Sequence, residues 1–227
     1  MREDIENEEM ILPVPDSSDE ETSIEPVASL QSVQVAGVDL HLQHDKTEGC
    51  GGMVWESGKV LTRYITQKKL ASYENTTVLE LGAGTGIVGL ALSKLVPSSK
   101  VYITDIPQIM PLIEKGIRIN ELTNAIPETL VWGERLPRLD SNPSVLLLAD
   151  CVYYEPSFQP LVDTLVELTD RYTIKEILFA YKKRRRADKQ FFKMLAKRFK
   201  YNQVTDDPDA EIYNRDSISL FTLERRM

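Results

Sequence analysis

The stretch TVLELGAGTGIVG at residues 77–89 constrains this chain more than any other. A short β-prone run breaks at Gly82 into a glycine-rich turn, and an apolar segment of helical character, residues 87–95, follows. Strand, glycine turn, helix is the order in which α/β folds bind nucleotide-like cofactors. The glycines let the backbone approach the ligand, and the first N–H groups of the helix face it. Gly82 and Gly84 match the start of a dinucleotide fingerprint, but its third glycine would stand at position 87, which is Ile87; here it comes early, at Gly86. Glu80 stands just before the turn. Its carboxylate would repel a pyrophosphate and attract a ligand with a cationic amino-acid end. A tight turn between a buried strand and a buried helix is the plainer alternative.

The rest of the chain repeats the same alternation. Residues 33–42 alternate apolar and polar with a break at Gly37 and read as a β-hairpin or two short strands. Three glycines around Cys50 then form a mobile or closely approached loop that runs to Trp55, at the start of a helix over residues 56–67. Trp55 is either core or a cover over a bound cofactor. Residues 100–105 form a strand ending in Asp105, 19 residues after Gly86. That is the spacing of the acid that hydrogen-bonds ribose hydroxyls in nucleotide-binding α/β folds. A helix follows over 110–120, then a strand over 128–132 ending in Trp132. The continuous apolar run at 144–150 is the mark of a parallel strand buried on both faces, and it ends in Ala149 and Asp150. A helix over 160–168, a strand to 181, a helix over 189–199 and strands at 201–205 and 218–223 complete the chain. The order predicts an open, mostly parallel sheet with helices on both faces, and ligands in such sheets bind beyond the carboxyl ends of the strands. Glu80, Asp105, Trp132 and Asp150 all fall at such ends.

Charge separates a tail from this domain. Residues 1–28 carry ten acids and one base, Arg2, which leaves 25 acids and 26 bases in the rest. The tail, residues 1–30, has too little apolar content to offset ordering entropy and is expected to be disordered, with residues 31–227 as the folded domain. Its segment 17–21, Ser-Ser followed by three acids, is either an acid-directed phosphorylation site or part of a solvating tail. The near-neutral remainder does not support nucleic-acid binding by global charge. An acidic start without a signal-peptide pattern, the lack of an ~18-residue apolar run and only two cysteines lead to an expected cytoplasmic setting, nuclear access being open, with no membrane partner. Two histidines supply metal sites poorly, so no metal is expected. Cys151 has no neighbouring base and reads as a small packing residue. Residues 182–186, Lys-Lys-Arg-Arg-Arg, are a solvated loop or an electropositive rim for an acidic protein surface.

Taken together, the E-x-G-x-G-x-G motif at 80–86, Trp55, Asp105, Trp132-Gly133 and the Asp150 to Tyr153 segment resemble the family-16 lysine methyltransferases. These have the class I, seven-strand, Rossmann-like fold and use S-adenosylmethionine, whose amino-acid end is cationic. The resemblance covers residues 33–225. The segments at 50–55 and 180–185 are most similar to family members acting on elongation factor 1-alpha, while other members modify chaperones and an AAA ATPase. The resemblance implies cofactor contacts at Trp55, Gly82, Ala83, Gly84, Asp105, Trp132 and Ala149, catalytic roles for Asp150 and Tyr153, and a protein substrate; Glu80, by its charge and place, is expected to meet the cofactor's amino group, and the enzyme is expected to be a monomer. Lysine methylation of another protein, a small-molecule methyltransferase and a non-catalytic cofactor-binding adaptor are the alternatives. An NAD-linked oxidoreductase is disfavoured by Ile87 and Glu80.

Overall fold

A computed structural model describes residues 28–45, 49 and 51–226. The chain opens with an antiparallel hairpin, β1 (Ala28–Val35) and β2 (Val38–Asp45), that turns at Ala36 and Gly37, both at positive φ. Helices α1 (Glu56–Lys68) and α2 (Leu70–Tyr73) follow. Strands β3 (Thr77–Leu81), β4 (Lys100–Asp105) and β5 (Ala125–Thr129) alternate with α3 (Ile87–Leu95) and α4 (Met110–Ile119). Then come β6 (Val145–Ala149), a 3-10 turn (Glu155–Ser157), α5 (Phe158–Arg171), β7 (Glu176–Lys182), α6 (Asp188–Arg198), β8 (Phe199–Gln203), α7 (Ala210–Arg215) and β9 (Ile218–Arg225).

Among the described residues, seven strands pair in the order β5-β4-β3-β6-β7-β9-β8. The first five run parallel, and β9 is antiparallel to both β7 and β8. From β3 the chain steps outward through β4 and β5, then returns to β6 on the other side of β3. The order therefore reverses beside the carboxyl end of β3, where open α/β sheets form their ligand crevice.

Strand alternation divides the core into two layers. Val78 and Val145 face the layer built with α1, α3, α4 and the hairpin; Leu79, Leu81, Leu146 and Leu148 face the layer built with α5 and α6. Glu80 shares the face of Val78 and so points toward α3. The hairpin rests on α4, where the side chain of Asn120, the residue that caps the helix, bonds both backbone groups of one β2 residue: its Oδ1 accepts the His41 N–H at 3.0 Å and its Nδ2 donates to the His41 carbonyl at 2.7 Å.

Several expected boundaries move. The tail expected over 1–30 lies outside the described residues except for 28–30, which belong to β1 rather than to a disordered segment. The third strand of the sheet covers Ala125–Thr129 rather than 128–132. Its start is fixed by the Asn124 amide, which donates to the carbonyls of Ser93, Val96 and Ser99, and its end by pairing of Thr129 with Asp105. Pro127 is compatible with this strand because β5 is an edge. The strand expected to reach 150 stops at Ala149, because Asp150 turns the chain with φ 61°. The short helices α2 and α7 have too few residues for a helical period to be read.

Phe179 sits at the centre of the second layer, 1% exposed, with its ring centroid 5.9 Å from that of Phe191 and 6.3 Å from that of Phe221. Truncating it leaves a cavity that the rigid sheet cannot close. Phe179→Ala is expected to lower stability by about 3–5 kcal/mol, read from urea denaturation.

Candidate active site

The turn after β3 uses positive φ at Gly82 (59°), Gly84 (56°) and Gly86 (76°). Space is also short for side chains at two of these positions. A Cβ on Gly82 would stand 2.6 Å from Cζ2 of Trp132, and one on Gly84 would stand 3.0 Å from the Gly51 carbonyl oxygen. The glycine-rich loop before Trp55 is thus closely approached, lying over the turn; Cys50 itself is outside the described residues.

Two carboxylates tie this turn to the sheet. Glu80, 2% exposed, accepts the Gly89 N–H of α3 through Oε2 at 2.8 Å. Asp105, at the end of β4, accepts the Gly84 N–H through Oδ2 at 2.8 Å and the Ile106 N–H through Oδ1 at 2.7 Å. Burial, opposed by the Gly89 hydrogen bond and helped by the Asp105 charge, raises the Glu80 pKa to about 8. Burial likewise raises Asp105 to about 6, against its two backbone hydrogen bonds. A cationic group placed between them would favour both ionised forms.

Trp55, Glu80, Gly82, Ala83, Gly84, Asp105, Trp132, Ala149, Asp150 and Tyr153 all line one cavity of about 720 Å³ at the carboxyl ends of the parallel strands. The volume suits a nucleoside-sized ligand with an amino-acid extension. The cradle of glycines, the two acids and the indole edge at Trp132 fit S-adenosylmethionine. Asp105 retains acceptor capacity for hydroxyls, since each carboxylate oxygen has a second lone pair. Trp132 comes from a turn after β5, held where the Gly133 N–H donates to Thr164 Oγ1 of α5 at 2.9 Å. Cys151 is buried, with Sγ 3.3 Å from the Leu81 carbonyl oxygen, and desolvation raises its thiol pKa well above the ordinary range, consistent with packing. Among the described residues no group of three or more His, Cys, Asp or Glu is arranged to hold a metal.

The other wall contains a feature that motif reading did not anticipate. Asp150 is 6% exposed, and its carboxylate is held by the Arg184 fork, Nη1 to Oδ1 at 2.6 Å and Nη2 to Oδ2 at 2.7 Å. The same guanidinium lies 5.0 Å from the centre of the Trp55 ring. Asp188, 1% exposed, holds the backbone of this turn: Oδ2 accepts the N–H groups of Arg184 and Arg185 and the Tyr181 hydroxyl. Arg185 donates to the Tyr153 carbonyl. The basic run at 182–186 is therefore neither a wholly solvated loop nor a free rim. Two of its arginines, both partly exposed, reach back to Asp150 and Tyr153, which line the cavity. Only the position of the run at a strand end hinted at this, and Asp188 carried no motif signal.

A family model described as lysine methyltransferase matches residues 34–198. The chain belongs to the lysine methyltransferase family. It is 38% identical over 202 residues to the protein-lysine N-methyltransferase EFM6 of Saccharomyces cerevisiae, covering 78% of this chain and 82% of that one. It is 34% identical over 119 residues to the EEF1A lysine methyltransferase 3 of Xenopus tropicalis, with 52% of each chain covered. Among solved structures, the 16S rRNA N2 G1207 methyltransferase of Thermus thermophilus, in complex with AdoMet and guanosine, superposes with a TM-score of 0.58 at 13% identity, over 90% of this chain and 52% of that one. That likeness gives the class I methyltransferase fold that the resemblance implies, built on the mostly parallel sheet expected from the strand order. Family and fold together make this chain a protein-lysine N-methyltransferase.

The raised acids give a pH signature for this family member without ligand. The folded protein holds protons on Glu80 that the unfolded chain releases near pH 4.5, so Glu80 contributes stability that is lost as pH rises from about 4.5 through about 8. Glu80→Gln keeps an acceptor for the Gly89 N–H and removes this titration. It is expected to flatten the fall in stability across that window, at most about 1.4 kcal/mol per pH unit, while weakening S-adenosylmethionine binding at least about tenfold. Denaturant melts at several pH values and calorimetry check the two effects.

Proposed function

We propose that this chain binds S-adenosylmethionine in the strand-end cavity and methylates a lysine of elongation factor 1-alpha, acting as a monomer in the cytoplasm without a nucleic-acid or membrane partner. The observation that carries the reaction is the opening of the glycine turn, with its two buried acids, into the same cavity as Asp150 and Tyr153. The substrate is supported by the Xenopus relative named for EEF1A and by the segments at 50–55 and 180–185.

Glu80 would hold the cationic amino end of the cofactor, Asp105 the ribose hydroxyls, and Trp132 with the Gly82–Gly84 backbone the base. Ala149 leaves room at the end of β6, and Trp55 covers the methionine side. When bound, the cofactor supplies an electrophilic methyl group on a sulfonium. The chain's own task is to present a neutral amine in line with it and to keep water out. A free lysine has a pKa near ~10.4, and burial beside a guanidinium favours release of its proton to solvent before the amine attacks. Asp150 accepts an N–H of the amine and orients its lone pair, and Tyr153 forms a side of the lysine channel.

The test is labelling with tritiated S-adenosylmethionine in an extract lacking this protein. The wild type is expected to label one band near the size of elongation factor 1-alpha, mapping to a single lysine, and Asp150→Ala is expected to lose at least about nine-tenths of the label. A band of another size replaces the substrate and keeps the reaction. No label, with cofactor binding intact by calorimetry, overturns protein methylation.

A further inference from the structure

Asp150 carries an unusual burden for an acid at a methyl-acceptor site. Its backbone is left-handed, φ 61°, a conformation that side-chain-bearing residues seldom adopt. Both its oxygens are engaged by one guanidinium, and Oδ1 also accepts the Lys182 N–H at 3.4 Å. A carboxylate offers about four lone-pair sites. Three are in use, which leaves one, on Oδ2, in a residue that lines the cavity.

We infer that Arg184 is a positioning residue whose fork on Asp150 converts that carboxylate from an ammonium trap into a neutral-amine acceptor. The inference rests on the methyl-transfer reading above. An unpaired, buried carboxylate would attract a lysine ammonium strongly and keep it protonated, and a protonated nitrogen has no lone pair with which to attack the methyl group. A carboxylate whose charge is matched by a guanidinium retains a hydrogen-bond acceptor and loses most of its pull on a cation. The guanidinium beside it also disfavours a second positive charge. Bidentate geometry suits this role, because it leaves the carboxylate plane and the remaining Oδ2 site in one orientation.

The surroundings favour a fixed residue over a mobile one. Asp188 anchors the Arg184 and Arg185 N–H groups and is itself held by the Tyr181 hydroxyl, 2.9 Å away. The guanidinium is sandwiched between Asp150 and the Trp55 face, its side chain 27% exposed. One side chain thus spans the wall that would cover the cofactor and the wall that receives the lysine.

A merely structural role and a charge-matching role separate in the kinetics. Arg184→Gln frees the Asp150 charge, and Arg184→Lys restores a cation without the fork. With elongation factor 1-alpha, or whichever extract protein the wild type labels, Arg184→Gln is expected to lower kcat at least about tenfold while KM for the protein substrate stays equal or falls. Equilibrium binding of that substrate without cofactor should be as tight or tighter in the variant, read by fluorescence anisotropy. Arg184→Lys should recover part of kcat. Unchanged kcat, or a raised KM and weaker binding at unchanged kcat, overturns the inference and makes Arg184 a docking residue or a bystander. A loss of kcat together with loss of the folding transition or of cofactor affinity in both variants overturns it in favour of a structural role. Failure of the wild type to methylate any protein removes the reading on which it rests, and the inference with it.

Discussion

The hydrogen bonds from backbone N–H groups to Glu80 and Asp105 hold the site together. A glycine turn with three left-handed residues has many alternatives in an unfolded chain, and its own single internal bond, Gly86 N–H to the Ala83 carbonyl, does little to select one. The carboxylate of β3 grips α3 at Gly89, and the carboxylate of β4 grips the turn at Gly84. Two neighbouring parallel strands are thereby coupled to one loop, and the loop shape follows from the sheet register. Desolvation is the cost, visible in the raised pKa of both acids. A cationic ligand relieves that cost, so the interactions that shape the turn also select the charge of what enters it.

Helix packing against this arrangement is correspondingly tight. Gly89 lies within α3, where alanine would normally be preferred by about 1 kcal/mol. A Cβ there would meet the Glu80 Oε2 at 2.5 Å and the Ile103 side chain at 2.7 Å. Similar closeness at Gly58 and Gly116, whose Cβ positions fall 2.9 Å from Ile87 and Leu90, lets α1 and α4 come in against α3. The glycines outside the motif thus set how near the helices sit to the crevice.

Most of the sheet was legible in the sequence because period-2 alternation and unbroken apolar runs report burial directly. Residues 87–95 and 100–105 have in the structure the bounds that the sequence predicts. The edge strand β5 was shifted because half-buried edge residues lack a clean period, and because Asn124 fixes its start through hydrogen bonds to three distant carbonyls. Glu80, Asp105 and Asp150 could be found as acids at strand ends. What could not be read was partnership. A run of five basic residues looks alike whether its side chains are solvated or paired with the site, and the difference here comes from Asp188, one buried acid that sequence spacing does not distinguish from a surface one. Long-range side-chain pairs such as Arg184 with Asp150, 34 residues apart, leave no local pattern.

The amide of Asn120 against His41 has a consequence for how copies of this chain behave together. A strand outside a sheet's interior offers unpaired N–H and C=O groups that can recruit a further strand from another molecule. At His41 both groups are already satisfied by a side chain that imitates a neighbouring strand's peptide. The hairpin is therefore terminated chemically at that point, and Pro127 withholds a donor on the outer strand of the main sheet. Loss of the Asn120 amide would leave both backbone groups of His41 without that partner, and so turn a closed stretch of strand edge into an open one.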